Sequence, residues 1–211
     1  MYLLKKHLIL VLVMVTTTFH CQEKLMPIGF FSPTVAEDHT IYLYSEESLN
    51  VKTPGLEKAV DSITFIKKGY TIIVDKAPSW FAPIHNKIDY GIFFISVKKL
   101  GLDYVELIAN EETGKTIYML RQNGDFVSWE EFLLSIHSVE FISEKQKIFD
   151  NPMVKSAGRV YDQATFLKPI YVMGDWMQVT VLGSDFKATG TTGWIRWRKD
   201  NTLLIRYNLL S

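Results

Sequence analysis

The residues whose types could carry chemistry are few and far apart. Beyond residue 20 the chain holds three histidines, His39, His85 and His137, and one cysteine, Cys21. The histidine spacing matches no metal motif, and a lone cysteine excludes an intrachain disulfide and any multi-cysteine metal site. No metal and no cofactor are expected. Three acidic pairs, Glu46 with Glu47, Glu111 with Glu112 and Glu130 with Glu131, could suggest general acid–base work. Adjacent residues do not face each other on a strand or helix, so each pair reads as a solvated turn or helix start. Residues 109–116 end in Gly114, Lys115 and Thr116 and formally fit a permissive phosphate-loop pattern. Such a loop must lead into a helix whose N–H groups face the phosphates, but 117–121 continues as strand and Glu111 and Glu112 would repel the ligand. A hairpin turn is expected there, and another at 190–193. No Gly-x-Ser-x-Gly elbow is present, which leaves open only a serine triad built without one. The chain is therefore expected not to be an enzyme.

The N-terminal segment bears on where those residues work. Lys5, Lys6 and His7 form a short positive region, 8–15 are unbroken apolar residues, Thr16 to Thr18 are small and polar, and Cys21 follows. This order reads as a secretion signal over 1–20, and its apolar run is shorter than the roughly 20 residues that span a bilayer. The chain is formally neutral and becomes slightly acidic once Lys5 and Lys6 leave with the leader. Its basic residues are interspersed with acids rather than gathered in a stripe, so no nucleic-acid partner is expected.

A lone cysteine just after an export signal resembles the acylated first residue of bacterial lipoproteins. The resemblance implies lipid attachment at Cys21 and a membrane partner through that anchor, at the periplasmic or cell-surface side of the envelope. The chain departs from the lipoprotein pattern in having Thr18 where leucine is usual and His20 where glycine, alanine or serine is usual. Ordinary cleavage near the threonines, leaving a soluble periplasmic protein with a free thiol, is the alternative.

The elements that must position any site are strands. Short runs rich in β-branched and aromatic residues occupy 40–44, 62–66, 70–74, 91–97, 104–109 and 116–121, and again 158–161, 168–173, 176–182, 193–198 and 202–207. Ser128 and Glu131 form a capping box that predicts one short helix running into Phe132, Leu133 and Ile136. Asp103 to Leu107 and 117–121 in the first half parallel Asp175 to Val179 and 194–198 in the second, which pairs Tyr118 with Ile195. The fold expected is all-β.

The run Gly174-Asp175-Trp176-Met177-Gln178-Val179, followed by Gly193-Trp194-Ile195, resembles the signature of bacterial Src-homology-3-like domains. The resemblance implies two small barrels in tandem, the first divergent, with a long insertion and a short helix near its end. Lys115-Thr116-Ile117 stands in that first copy where Gly-Trp is usual. The domains expected are a signal peptide at 1–20, a tether at 21–34, a first barrel at 35–142 and a second at 143–211. The second would hold Trp194 in its core.

The stretch from about Asn50 to Leu100 exceeds what such a barrel needs. Within it, prolines flank Trp80 and Phe81, and His85 and Tyr90 follow, a rigid aromatic set suited to stacking on a ligand. Trp80, Phe81, His85 and Tyr90 are the ligand-binding candidates; the alternative for Trp80 and Phe81 is that they plug the barrel's open end. The function expected is a non-catalytic binding or scaffolding lipoprotein of the bacterial cell envelope, recognising a peptide, peptidoglycan or an envelope protein. A structural subunit of an envelope assembly is the first alternative. An enzyme with a site in the insertion is the second, and a pocket joining His85 to a perturbed carboxylate would favour it.

Overall fold

The computed structural model describes residues 26–49 and 58–209. The leader and Cys21 lie outside the described residues. The chain is all-β, built from two antiparallel sheets that follow one another in sequence. The first sheet contains β1 (Gly29–Pro33), β2 (Thr40–Tyr44), β3 (Asp61–Lys68), β4 (Thr71–Lys76), β5 (His85–Lys87), β6 (Ile92–Leu100), β7 (Tyr104–Asn110), β8 (Lys115–Leu120) and β9 (Gly124–Ser128), with a single helical turn, α1 (Glu46–Leu49), after β2. Its order is β4-β3-β2-β8-β7-β6-β1-β9, and β5 pairs with β6. Helix α2 (Trp129–Ser135) then leads into β10 (Ser138–Phe141), β11 (Lys145–Phe149), β12 (Gly158–Asp162), β13 (Leu167–Met173), β14 (Trp176–Leu182) and β15 (Ala188–Arg196). A small ribbon of β16 (Arg198–Lys199) and β17 (Thr202–Leu203) precedes β18 (Ile205–Asn208). The second sheet runs β12-β11-β15-β14-β13-β10-β18.

Helix α2 forms where its capping box requires. The Ser128 hydroxyl accepts from the Glu131 N–H at 3.2 Å, and the Glu131 carboxylate accepts from the Ser128 N–H at 2.8 Å. Two donors at the helix start, the Ser128 and Glu131 N–H groups, are thereby satisfied. Trp129, Phe132 and Leu133 are buried on one side of the helix, against the second sheet.

Two boundaries differ from the sequence reading. The stretch read as a tether contains β1, which lies between β6 and β9. Phe30 and Phe31, both fully buried, point to opposite faces of that strand: Phe31 enters the core of the first sheet, and Phe30 enters the core shared by α2 and the second sheet. The second sheet also begins earlier than residue 143, because β10 pairs with both β13 and β18. The two halves thus share a strand's worth of core and are not beads on a linker.

The internal repeat is a repeated hairpin, with its register corrected by one residue. Val105 opposes Met119 in β7 and β8, as Met177 opposes Ile195 in β14 and β15. The Arg121 N–H donates to the Asp103 carbonyl at 2.8 Å, as the Trp197 N–H donates to the Asp175 carbonyl at 3.0 Å. Ile195 therefore answers to Met119, not to Tyr118. A one-residue slip turns every side chain to the other face, and the buried residues show which alignment is right: Met119, Ile195 and Trp197 are core, while Tyr118 and Trp194 are not.

The glycines of the second hairpin serve that geometry. Gly174 takes φ +59° in the turn between β13 and β14. At Gly193 the chain of β11 crosses so closely that a Cβ would run into Ile148 and the Phe149 carbonyl. The Gly-Trp pair therefore marks where β11 joins β15, at Phe149 opposite Trp194.

Candidate functional site

The candidate site lies where the two sheets meet. β5 carries His85, held opposite Phe94 of β6. β18 carries Tyr207, held opposite Val139 of β10. Their side chains close on each other, with His85 Nε2 3.0 Å from the Tyr207 hydroxyl. The imidazole lies parallel to the ring of Phe132, at 9° and 6.2 Å, and meets Phe94 and Tyr207 edge-on. This is an aromatic box built from both sheets and α2, in which the Tyr207 hydroxyl supplies a polar contact to the His85 ring.

Burial sets the electrostatics of the box. It lowers the His85 pKa below the ordinary histidine value, with Glu111 opposing the shift and Lys87 adding to it. Burial likewise pushes the Tyr207 hydroxyl up to about 12, with Glu111 acting in the same direction. Both groups are neutral at pH 7. The unfolded chain accordingly binds more protons at His85 than the native chain does, just below the ordinary histidine pKa. The stability present above that pKa is lost as pH falls through it towards the lowered native value. Melting temperature should thus fall more steeply for the parent than for a His85→Gln variant between about pH 7 and pH 5. Parallel curves would mean that His85 titrates freely in the native state.

Two cavities of about 400 and 640 Å³ flank the His85–Tyr207 contact and share Asn208 with it. The smaller is completed by Ile84, Asn86, Lys87, Ile92 and Leu209, the larger by Glu140, Leu203, Ile205 and Arg206. Together they form a groove beside β18, which ends the second sheet and pairs only with β10 among the described residues. The groove's polar groups are fixed by their neighbours. Asn208 donates to Glu140 at 2.7 Å and to the Ser138 hydroxyl at 3.3 Å, and Arg206 lies 3.8 Å from Glu140.

The four binding candidates read from the sequence do not share one surface. Phe81 packs against the first core and meets Phe93 edge-on, so it is a plug rather than a contact surface. Trp80 is half-buried, and Lys115 Nζ sits 3.7 Å from its ring centroid. The loop that carries both is clamped to the end of β7: Asn110 donates to the Trp80 carbonyl, and the Ala82 N–H donates to the Ala109 carbonyl, each at 2.8 Å. Trp80 instead borders a separate cavity of about 460 Å³ with Glu46, Glu47, Asp61 and Tyr118. Tyr90 is exposed on the Ile88–Tyr90 turn and lines neither cavity. Only His85 of the four reaches the groove.

The phosphate-loop pattern is the hairpin turn that the sequence implies. The Asn110 side chain accepts from the Glu112 and Thr113 N–H groups at 3.0 and 2.8 Å, Gly114 takes φ +70°, and β8 follows directly. The Gly174-Asp175 turn is equally structural. Asp175 accepts from Arg198 at 2.7 Å and from Arg196 at 3.4 Å, and the Arg198 hydrogen bond leads in holding its carboxyl below the usual range.

Sequence reasoning missed Tyr207 and a second feature, the outer face of the second sheet. Phe149 opposes Trp194, Trp194 opposes Gln178, and Gln178 opposes Tyr171, so all four side chains share the face turned away from the core. Trp176 joins them two residues before Gln178 on β14. The alternation of Trp176, Gln178 and Thr180 with the buried Met177, Val179 and Val181 was the available signal.

No protein-family model matches the chain, and no curated protein matches it. A solved structure to which it bears a likeness is that of NlpC2 from Trichomonas vaginalis. The likeness covers 85% of this chain and 48% of that one, at 8% identity and a TM-score of 0.31. The chain therefore spans about half the length of that protein, and a similarity of this size carries no argument about fold or function.

Proposed function

We propose that the chain is an exported, non-catalytic binding protein of the bacterial envelope that holds an extended peptide in the groove along β18. The observation that supports this reading is the open edge of β18, flanked by preformed cavities and lined by fixed hydrogen-bonding groups. An unpaired edge offers main-chain donors and acceptors to an incoming strand, and pockets for alternate side chains give selectivity. Cavities of this size suit side chains or small ligand groups. Arg206 and Lys87, both exposed, border the two cavities and suit a peptide bearing carboxylates, such as a peptidoglycan stem or a segment of an envelope partner.

The leader over 1–20 and acylation of Cys21 belong to the same proposal. They place the groove outside the cytoplasm, where a peptide partner of this kind is met. The tandem Src-homology-3-like reading is part of it too, supported by the repeated hairpin and its matching backbone hydrogen bonds at Asp103 and Asp175.

The test is calorimetric titration of the free peptidoglycan stem peptide into the parent, into Arg206→Ala and into Arg206→Ala combined with Lys87→Ala. Affinity should fall by about tenfold or more in the double variant, while the melting temperature stays within a degree or two, as expected of exposed positions. Undiminished binding by the double variant would remove the groove from the account.

A further inference from the structure

The outer face of the second sheet has no role in the groove and is unusual in both its rings and its charges. Phe149, Trp176 and Trp194 are half-buried and Tyr171 is 48% exposed, and the four sit on neighbouring strands β11, β14, β15 and β13. Tyr171 meets Trp194 edge-on at 6.0 Å, and Phe149 meets Trp176 edge-on at 5.4 Å. Strand-borne rings in mutual contact keep their positions without a ligand, so little ordering cost accompanies binding on them. Met173, exposed and opposite Trp176, extends the apolar area.

Its charge is one-sided. The four strands carry Lys145, which stands opposite Asp162 of β12, together with Lys147, Lys168 and Arg196, and contain no aspartate or glutamate at all, although the whole chain is balanced between 23 basic and 23 acidic residues. Lys168 opposes Thr180 and Lys147 lies two residues before Phe149, which places both on the ring-bearing face. Lys147 Nζ stands 5.8 Å from the Phe149 ring centroid. Asp175, at the end of the face, is already occupied by Arg196 and Arg198. Lys147 and Lys168 form no ion pair among the described residues.

We propose that this face binds an acidic polysaccharide, with sugar rings stacked on Trp194 and Tyr171 and carboxylates drawn to Lys147 and Lys168. Sugar rings present apolar C–H faces to aromatic rings and hydroxyls to polar groups between them, and Gln178 and Thr192 occupy those positions opposite Trp194 and Thr180. The sparse cations select the polymer. A nucleic acid brings one phosphate per nucleotide and calls for a dense basic track, whereas two well-separated lysines fit a chain with an occasional carboxylate.

The test uses the whole chain and three probes: a hyaluronan oligosaccharide, with one carboxylate per disaccharide, an uncharged chito-oligosaccharide and a single-stranded oligonucleotide, read by tryptophan fluorescence and calorimetry. The hyaluronan oligosaccharide should bind most tightly. Tyr171→Ala should weaken it about tenfold, and Lys147→Gln with Lys168→Gln should weaken it and flatten its salt dependence, all with unchanged melting temperature. Equal or tighter binding of the uncharged sugar or the oligonucleotide would overturn the assignment. So would undiminished binding by Tyr171→Ala, or no response to any saccharide. None of these substitutions touches the β18 groove, so stem-peptide affinity should be identical in all variants. Saccharide binding without peptide binding would leave this face standing and remove the groove.

Discussion

Trp197→Ala should destabilise the chain by about 3–5 kcal/mol, whereas Trp194→Ala should cost about 1 kcal/mol or less. The sequence signature singles out Trp194, which follows the motif glycine. In the structure Trp197 is the buried indole, 1% exposed, and Trp194 lies on the outer face. The Trp197 ring packs 5.6 Å from that of Trp129 on α2, and its indole N–H donates to the Gly174 carbonyl at 2.8 Å. Removing it leaves a cavity between helix and sheet and breaks the hydrogen bond that ties the β13–β14 turn to the end of β15. Removing Trp194 opens a half-exposed site to water, and the neighbouring Tyr171 can relax into it. Denaturant melts of the two variants settle the matter, and a larger loss for Trp194→Ala would reverse the assignment of faces.

Phe30→Ala should cost a similar amount, about 3–5 kcal/mol, and should lower both halves of the chain in one transition. Phe30 belongs to a strand of the first sheet, yet its ring lies 4.2 Å from that of Phe132 and 4.7 Å from that of Trp129. It is fully buried in the core that α2 shares with the second sheet. Phe31, one residue on, is equally buried in the other core. A strand that feeds both cores couples them, because neither can lose it without exposing large apolar area. Calorimetry should therefore give one endotherm for the parent and one, shifted down, for the variant. Two separable transitions in either protein would show that the halves fold as independent domains.

What the sequence revealed depends on how many faces of an element are wet. β2 and β14 alternate cleanly and are found where their patterns place them, as is α2, whose capping box is local chemistry. β1 is short and buried on both faces, and so shows no alternation to read. β10 and β11 flank the boundary read at residue 143, and only their partners β13, β18 and β15 show that both belong to the second sheet. The register of the repeat differs by one residue from the sequence reading, since Tyr118 and Met119 fit a core equally well by composition and only pairing with Val105 separates them. The candidate site was the least legible part. His85 could be singled out, but its partner Tyr207 lies 122 residues away, and nothing local in the sequence announces a contact of that range. Trp80 and Tyr90, close to His85 in sequence, are carried to other surfaces by the clamp at Asn110 and the turn at Gly91.

The peptide groove is most directly tested by amide hydrogen exchange along β18, measured on the full chain with and without saturating stem peptide. Addition of a strand to that edge should slow exchange at alternate amides of Ile205–Asn208 that face away from β10, and leave the outer face of β13 and β14 unchanged. Protection confined to other strands, or no protection at all under conditions of saturation, would contradict the account.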